Sequence, residues 1–239
     1  MIELNKIYCE ECGKLLKDLD NNSIDLICID PPYLTTNEKW DKKEVVNEEL
    51  SRELFRIAKD SCSLYVWCGI GEISQSLIRW FPIFSKNWHF KDLITWKKQR
   101  GIGMRKGWLY TREEIMWYVK DNKKFIWNKE EQYSKEPNQF KVGMNGTKVH
   151  PTKRYSNVWT DIPEKLTRNT KFHYTPKPIK AIERIIKLHT KENDVVIDCF
   201  MGSGTTAEAC KILKRNFIGV EIDSKYCEIA NKRLEQLCI

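Results

Sequence analysis

Val195-Val-Ile-Asp-Cys-Phe-Met-Gly-Ser-Gly-Thr-Thr206 decides the fold. It opens as an apolar run, Val195–Cys199, turns at Phe200-Met201-Gly202, and leads into a helical pattern over Thr205–Lys214. Short continuous apolar runs suit strands buried on both faces, as in a parallel sheet. Three more runs read the same way: Ile24–Ile29 ending at Asp30-Pro31-Pro32, Ser63–Cys68, and Phe217–Ile222 ending at Asp223. Helical patterns lie between them. Leu50, Leu54, Phe55, Ile57 and Ala58 mark one face from about Glu48 to Lys59. Ile179, Ile182, Ile185, Ile186 and Leu188 mark another, with Thr175 as the expected N-cap and prolines near the first turn. Ser224–Leu237 is the last. This alternation predicts an α/β fold, a doubly wound, mostly parallel sheet with ligands at the carboxyl ends of its strands.

Within the opening stretch, Gly202 and Gly204 let the backbone turn tightly and come close to a ligand. The helix behind them points free N–H groups at an anion. The stretch lacks the Gly-Lys-Ser/Thr of a phosphate loop and the third glycine of the dinucleotide fingerprint. Glu221 closes the next strand about twenty residues on, where an acid accepts hydrogen bonds from ribose hydroxyls. The ligand implied is a nucleoside-bearing cofactor without a demanding phosphate site; the competing reading is a tight strand–helix turn and nothing more.

Asp30-Pro31-Pro32-Tyr33 ends the first apolar run. Two prolines make a stiff corner that cannot continue a ladder. It places a carboxylate, a free Pro31 carbonyl and an aromatic ring together, which suits a planar group carrying an exocyclic amine. A purely structural turn competes with this reading too.

The 239 residues fit one domain, or one domain with a large insertion, and 41% apolar content is ordinary for a globular chain. No apolar run approaches the roughly 18 residues of a membrane span, and no signal peptide is visible at the N-terminus. Nine scattered cysteines read as reduced thiols, so a cytoplasmic location is expected. The net charge is +8, and its placement says more than its size. Residues 86–154 hold 17 Lys/Arg against 7 Asp/Glu, and 11 of the 27 aromatics. That stretch alone is +10, and the rest of the chain is −2. Three parts of a single domain are expected: a catalytic half (1–85), a basic, aromatic insertion facing nucleic acid (86–154), for which a solvated lysine-rich surface is the competing reading, and a cofactor-binding half (155–239).

Both motifs together resemble the S-adenosylmethionine-dependent amino-methyltransferases of DNA, in the circularly permuted β class. That class runs from an Asp-Pro-Pro-Tyr motif through a target-recognition region to a Phe-x-Gly-x-Gly motif. Asp30–Tyr33, the basic middle and Phe200–Gly204 repeat that order. Ser23–Ile29, Ile94-Thr-Trp-Lys97 and His173-Tyr-Thr-Pro-Lys-Pro178 match further family segments, and about two thirds of the chain is covered. Two departures stand out. Tyr8-Cys-Glu-Glu-Cys12 replaces the family's Gly-Asp pair near the cofactor adenine, leaving Glu10 or Glu11 to substitute, and Tyr174 replaces a proline.

The resemblance implies catalysis by Asp30, Pro31, Pro32 and Tyr33 on an adenine flipped out of double-stranded DNA. It implies S-adenosylmethionine held by Asp198, Phe200, Gly202, Ser203, Gly204 and Thr205, with Glu221 on the ribose and His173, Thr175 and Lys177 toward the methionine carboxylate. Lys97, Arg100, Arg105, Lys106 and Arg112 are the expected DNA contacts, and a homodimer is the expected assembly. N4-cytosine is the rival target, although Ser is more typical at the Asp30 position there. A catalytically silent partner subunit and a nucleotide-dependent oxidoreductase compete more weakly, since both motifs are intact and the third glycine is missing. Cys9-Glu-Glu-Cys12 is half a zinc knuckle without its second half, so no metal is expected. The polar loop Leu34–Val46 reads as a mobile lid or as a disordered segment.

Overall fold

Ile24–Ile29 forms strand β2, with all six residues buried. Ile27 and Ile29 enter one core while Leu26 and Cys28 enter another, because successive side chains point to opposite faces. The neighbouring strand repeats the division: Leu64 and Val66 join the first core, Tyr65 and Trp67 the second. Such a sheet needs helices on both faces.

The computed structural model describes residues 2–71, 74–102, 106–139, 142, 147–164 and 176–238. Before β2 come β1 (Lys6–Cys9) and α1 (Cys12–Lys17). After it come α2 (Glu48–Ile57), β3 (Ala58–Cys68), α3 (Ser76–Phe84), β4 (His89–Ile102) and β5 (Tyr110–Val119). β6 (Tyr133–Pro137) and β7 (Thr152–Arg154) pair in a small separate sheet, and β8 (Val158–Trp159) follows. The chain ends with α4 (Ile179–His189), β9 (Val195–Asp198), α5 (Thr205–Ile212), β10 (Asn216–Glu221) and α6 (Ser224–Glu235).

The main sheet has the order β1-β10-β9-β2-β3-β5-β4-β8. Its first five strands are parallel, and β5 runs antiparallel to both β3 and β4. Leu15, Leu54 and Trp80 bring α1, α2 and α3 onto one face. Ile185, Cys210 and Ala230 bring α4, α5 and α6 onto the other. From β9 the chain winds outward to β10, and from β2 it winds outward to β3. The winding therefore reverses between adjacent strands β2 and β9, which is where doubly wound sheets open a ligand crevice.

Several expected boundaries move. α2 stops at Ile57, and Ala58 turns to extended backbone as the first residue of β3. Asn47 caps α2 by accepting from the Leu50 N–H at 2.9 Å. α4 has Pro178, not Thr175, at its N-cap position, and Thr175 lies outside the described residues. The segment 86–154 is also no simple insertion between two halves, because β4 and β5 build the main sheet. Its aromatic surplus is partly core: Trp88, Trp96 and Tyr118 are buried, whereas Trp108 is 91% exposed.

Buried His189 at the end of α4 closes the second core. Its Nδ1 meets the Ile126 carbonyl at 2.7 Å and its Nε2 meets Tyr65 Oη at 2.7 Å. Burial pushes its pKa down to about 4, so it is a neutral structural group. Among the described residues no helix is long and apolar enough to cross a membrane.

Candidate active site

Asp30 stands at the carboxyl end of β2, where Pro31 and Pro32 end the ladder. Tyr33 Oη donates to Asp30 Oδ1 at 2.9 Å, and the Tyr33 ring meets Trp80 edge-on at 5.8 Å. Lys177 Nζ lies 2.9 Å from Asp30 Oδ2 and 3.0 Å from Glu113 Oε2 of β5. Lys98 of β4 closes on the other Glu113 oxygen. Four charges thus alternate in sign across one corner. Burial pushes the Asp30 carboxyl above its ordinary pKa, and Lys177 pulls it back. Burial also works against the Glu113 charge, but Lys177 and Lys98 outweigh it and hold Glu113 below the usual carboxylate range.

The glycine turn at the end of β9 is held differently. Gly202 and Gly204 have φ of 52° and 84°, left-handed conformations that L side chains rarely adopt. A Cβ on Gly204 would lie 2.9 Å from Ala230 Cβ, so only glycine lets α6 pack this close. Asp198 is buried and accepts from Thr206 Oγ1 at 2.6 Å and from the Phe200 N–H at 3.0 Å. Its pKa is pushed up to about 7 by burial, against those two donors. Glu221 accepts from the Gly202 N–H at 2.8 Å and the Asp223 N–H at 2.9 Å, with one oxygen for each. Burial raises its pKa, and these N–H groups oppose the rise.

Both corners line one cavity of about 1290 Å³. Its wall includes Asp30, Tyr33 and Lys177 beyond β2 and Asp198, Gly202 and Glu221 beyond the adjacent strand β9 and its neighbour β10. A single small ligand takes roughly 300–1,000 Å³, so this space suits two reactants side by side. The open side of Gly202, where a Cβ would approach nothing nearer than the Phe200 carbonyl at 3.9 Å, leaves room for a ligand against the backbone.

The model of the DNA methylase family matches residues 24–232, both corners included. The chain belongs to that family. It is 34% identical to the type II methyltransferase M1.MboII of Moraxella bovis, with 99% of each chain covered. The crystal structure of M1.HpyAVI with SAM superposes with a TM-score of 0.64 at 27% identity, covering 95% of this chain and 98% of that one. The PvuII cytosine-N4-specific DNA methyltransferase shares the fold, with a TM-score of 0.72 at 15% identity over 95% and 85% of the two chains. The protein is thus a DNA methyltransferase.

Seen in this methylase, the predicted residues divide. Asp30–Tyr33, Asp198, Phe200, Gly202, Ser203, Thr205 and Glu221 all line the shared cavity, while Gly204 turns toward Ala230. Lys177 also lines it, but its ammonium sits between two carboxylates at the Asp30 end. Arg233 of α6 donates to the Ser203 carbonyl and Thr205 Oγ1, bracing the turn from behind. Glu10 and Glu11 both reach the cavity wall. Lys97, Lys106 and Arg112 are exposed, and Lys97 and Arg112 face each other across β4 and β5. Arg112 is ion-paired to buried Glu114 at 3.0 Å. Arg105, His173 and Thr175 lie outside the described residues, as does the Arg100 side chain.

Lys98 and Glu113 join the site without having been predicted from the sequence. The signal that could have found Lys98 is the period of two: Trp96 is buried and Lys97 exposed, so Lys98 returns to the inner face, over the Trp96 ring at 5.7 Å. The loop after Tyr33, expected as a lid or a disordered segment, is tied to its surroundings at several points. Asp41 accepts from three successive backbone N–H groups, those of Leu34, Thr35 and Thr36, at 2.7, 2.8 and 2.5 Å. Glu44 ties the same loop to Arg79 and Trp80 of α3, and Trp40 packs edge-on against Tyr226 of α6.

Proposed function

We propose that this methyltransferase acts on the N6 amino group of adenine in a specific sequence of double-stranded DNA, as a β-class, permuted enzyme of restriction–modification type. The observation that carries the reading is the meeting of the Asp30 corner and the glycine turn in one cavity, at the reversal point of the sheet. S-adenosylmethionine, when bound, supplies an electrophilic methyl group. The space beside Gly202 and the fixed acceptors of Asp198 and Glu221 fit its nucleoside end.

The chain's own residues then hold the acceptor. A base extruded from the duplex enters against Tyr33. The Asp30 carboxylate and the Pro31 carbonyl accept the two amino hydrogens, which turns the nitrogen lone pair toward the methyl group. A charged Asp30 also stabilises the positive charge that grows on that nitrogen and can take the proton it sheds. No covalent enzyme intermediate is required, and catalysis rests on positioning and electrostatics. Asp at position 30, rather than the Ser more typical of cytosine enzymes, favours adenine. Lys97, Arg100, Arg105, Lys106 and Arg112 are assigned to DNA, and Trp108, two residues after Lys106 in the sequence, offers an exposed ring. The same reading carries a homodimer and a cytoplasmic location.

The test is to incubate the protein with labelled S-adenosylmethionine and plasmid DNA, digest, and identify the modified nucleoside. N6-methyladenine is expected. N4-methylcytosine would overturn the adenine assignment, and no transfer to any DNA would favour a catalytically silent partner subunit. Because the surplus charge lies in residues 86–154, binding should also be salt-sensitive. Fluorescence anisotropy should show DNA affinity falling by on the order of 100-fold between about 50 and 200 mM salt, with cofactor affinity changing by less than about twofold.

A further inference from the structure

Lys177 is the least exposed member of the four-charge corner apart from its partner Glu113: both side chains are 15% exposed, against 34% for Asp30. It lies between the faces of Tyr33 and Trp67, 5.3 and 5.2 Å from the ring centroids. An ammonium so enclosed cannot follow solvent, so its direction is set by its carboxylate partners and by the rings. Glu113 in turn is fixed by Lys98 from the adjacent strand β4. The pair of strands β4 and β5 therefore fixes the ammonium, and the ammonium fixes the carboxylate at the end of β2.

We infer that Lys177, braced by Glu113 and Lys98, is a positioning residue that keeps the Asp30 carboxylate charged and aimed at the acceptor amine. The inference rests on the adenine-N6 reading only for the identity of that amine. Without such a cation, the surroundings of Asp30 other than Tyr33 disfavour its charge. Burial does so directly, Glu113 does so as a like charge, and Asp198 of the adjacent strand β9 is a further like charge. The remaining titratable neighbours are Tyr33 of the same corner, Cys28 of β2 and Cys68 of β3. Of these groups only Tyr33 helps, as a hydrogen-bond donor to Asp30. A protonated Asp30 would present a donor where the amine needs an acceptor. Lys177 Nζ contacts Oδ2 and Tyr33 Oη contacts Oδ1, and each oxygen keeps a second lone-pair direction for the incoming amino group.

This placement departs from the role the family resemblance implies for Lys177, at the methionine carboxylate, and the two roles separate by experiment. Single-turnover methyl transfer to plasmid DNA is followed from about pH 5.5 to 9 for wild type, Lys177→Met, Lys177→Arg and Glu113→Gln. Cofactor affinity is measured by calorimetry on the same proteins. Lys177→Met is expected to move the acid limb of the profile upward by at least about one pH unit, with the cofactor Kd within about threefold. Lys177→Arg should keep the wild-type limb. Glu113→Gln removes a like charge from beside Asp30, so its limb should stay or move down while the plateau rate falls several-fold.

An unmoved limb in Lys177→Met with a tenfold or greater rise in cofactor Kd would assign Lys177 to the methionine carboxylate and overturn the inference. Equal losses at every pH in both Lys177 variants would reduce it to packing and also overturn it. A second readout needs no substrate: the Asp30 carboxyl signal in protein labelled with 13C-aspartate, identified by its loss in Asp30→Asn. Its midpoint should rise in Lys177→Met and not in Glu113→Gln, whichever base the enzyme methylates. An unchanged midpoint in Lys177→Met overturns the inference while leaving the adenine reading intact. If Lys177→Met fails to fold, Lys177→Gln supplies the same comparison.

Discussion

Two carboxylate sites line the same cavity, and they are satisfied by opposite means. Asp30 is held by a full cation, Lys177, which has its own counter-charges in Glu113 and, behind it, Lys98. Asp198 and Glu221 are held by backbone N–H groups and one hydroxyl: Phe200 and Thr206 for the first, Gly202 and Asp223 for the second. The difference matches the work assigned to each. A group that must stay charged while a substrate enters its shell needs a cation, whose attraction outlasts the loss of water. A group that serves as a fixed acceptor needs direction more than charge, and backbone dipoles set direction without titrating.

Three substitutions probe that contrast, from the largest effect downward. Asp30→Ala removes the charged partner of the amine and leaves Lys177 with Glu113 alone. Methyl transfer should fall by on the order of 1,000-fold or more, while calorimetry still detects the cofactor. Retained turnover would remove Asp30 from the mechanism and end the contrast. Glu221→Gln keeps the size but turns one acceptor oxygen into a donor facing a backbone N–H. Cofactor affinity should drop about tenfold, roughly 1.4 kcal/mol, with little change in the single-turnover rate at saturation. A large rate loss there would mean that Glu221 acts in the chemistry as well.

Thr206→Val is the gentlest change. It takes away one of the two donors that oppose burial at Asp198, whose pKa lies at about 7. In wild type, Asp198 ionises as pH rises through that value, and an ionised carboxylate attracts a cationic cofactor, so affinity should rise across the same window. In Thr206→Val that rise should shift to higher pH, which weakens binding a few-fold near neutrality. A flat affinity–pH profile in both proteins would show that Asp198 does not titrate with the cofactor.

Local chemistry made the poles of the site legible. Apolar runs gave away β2, β9 and β10, and stiff or glycine-rich turns marked their carboxyl ends, because both signals lie within a few residues of each other. Less was readable in the middle. β4 and β5 carry their charges in runs, Lys97-Lys98 and Arg112-Glu113-Glu114, which break the period of two, so their composition resembles a charged surface although Ile94, Trp96, Ile115 and Met116 are core. The partnership of Lys98, Glu113 and Lys177 spans three distant segments and leaves no spacing to read. Ala58 shows the same limit on a smaller scale: one more apolar residue on a helical face looks like helix, and only pairing with Ile24 makes it strand.

The staple at Asp41 has a consequence for the speed and affinity of base capture. One buried carboxylate organises the backbone of Leu34, Thr35 and Thr36 immediately after Tyr33, the ring proposed to meet the base. Ordering a residue costs roughly 1–2 kcal/mol of conformational entropy. In this protein that loss falls on folding, before any DNA arrives; on the proposed route, an extruded nucleotide would meet a preformed wall and keep its binding energy for opening the duplex.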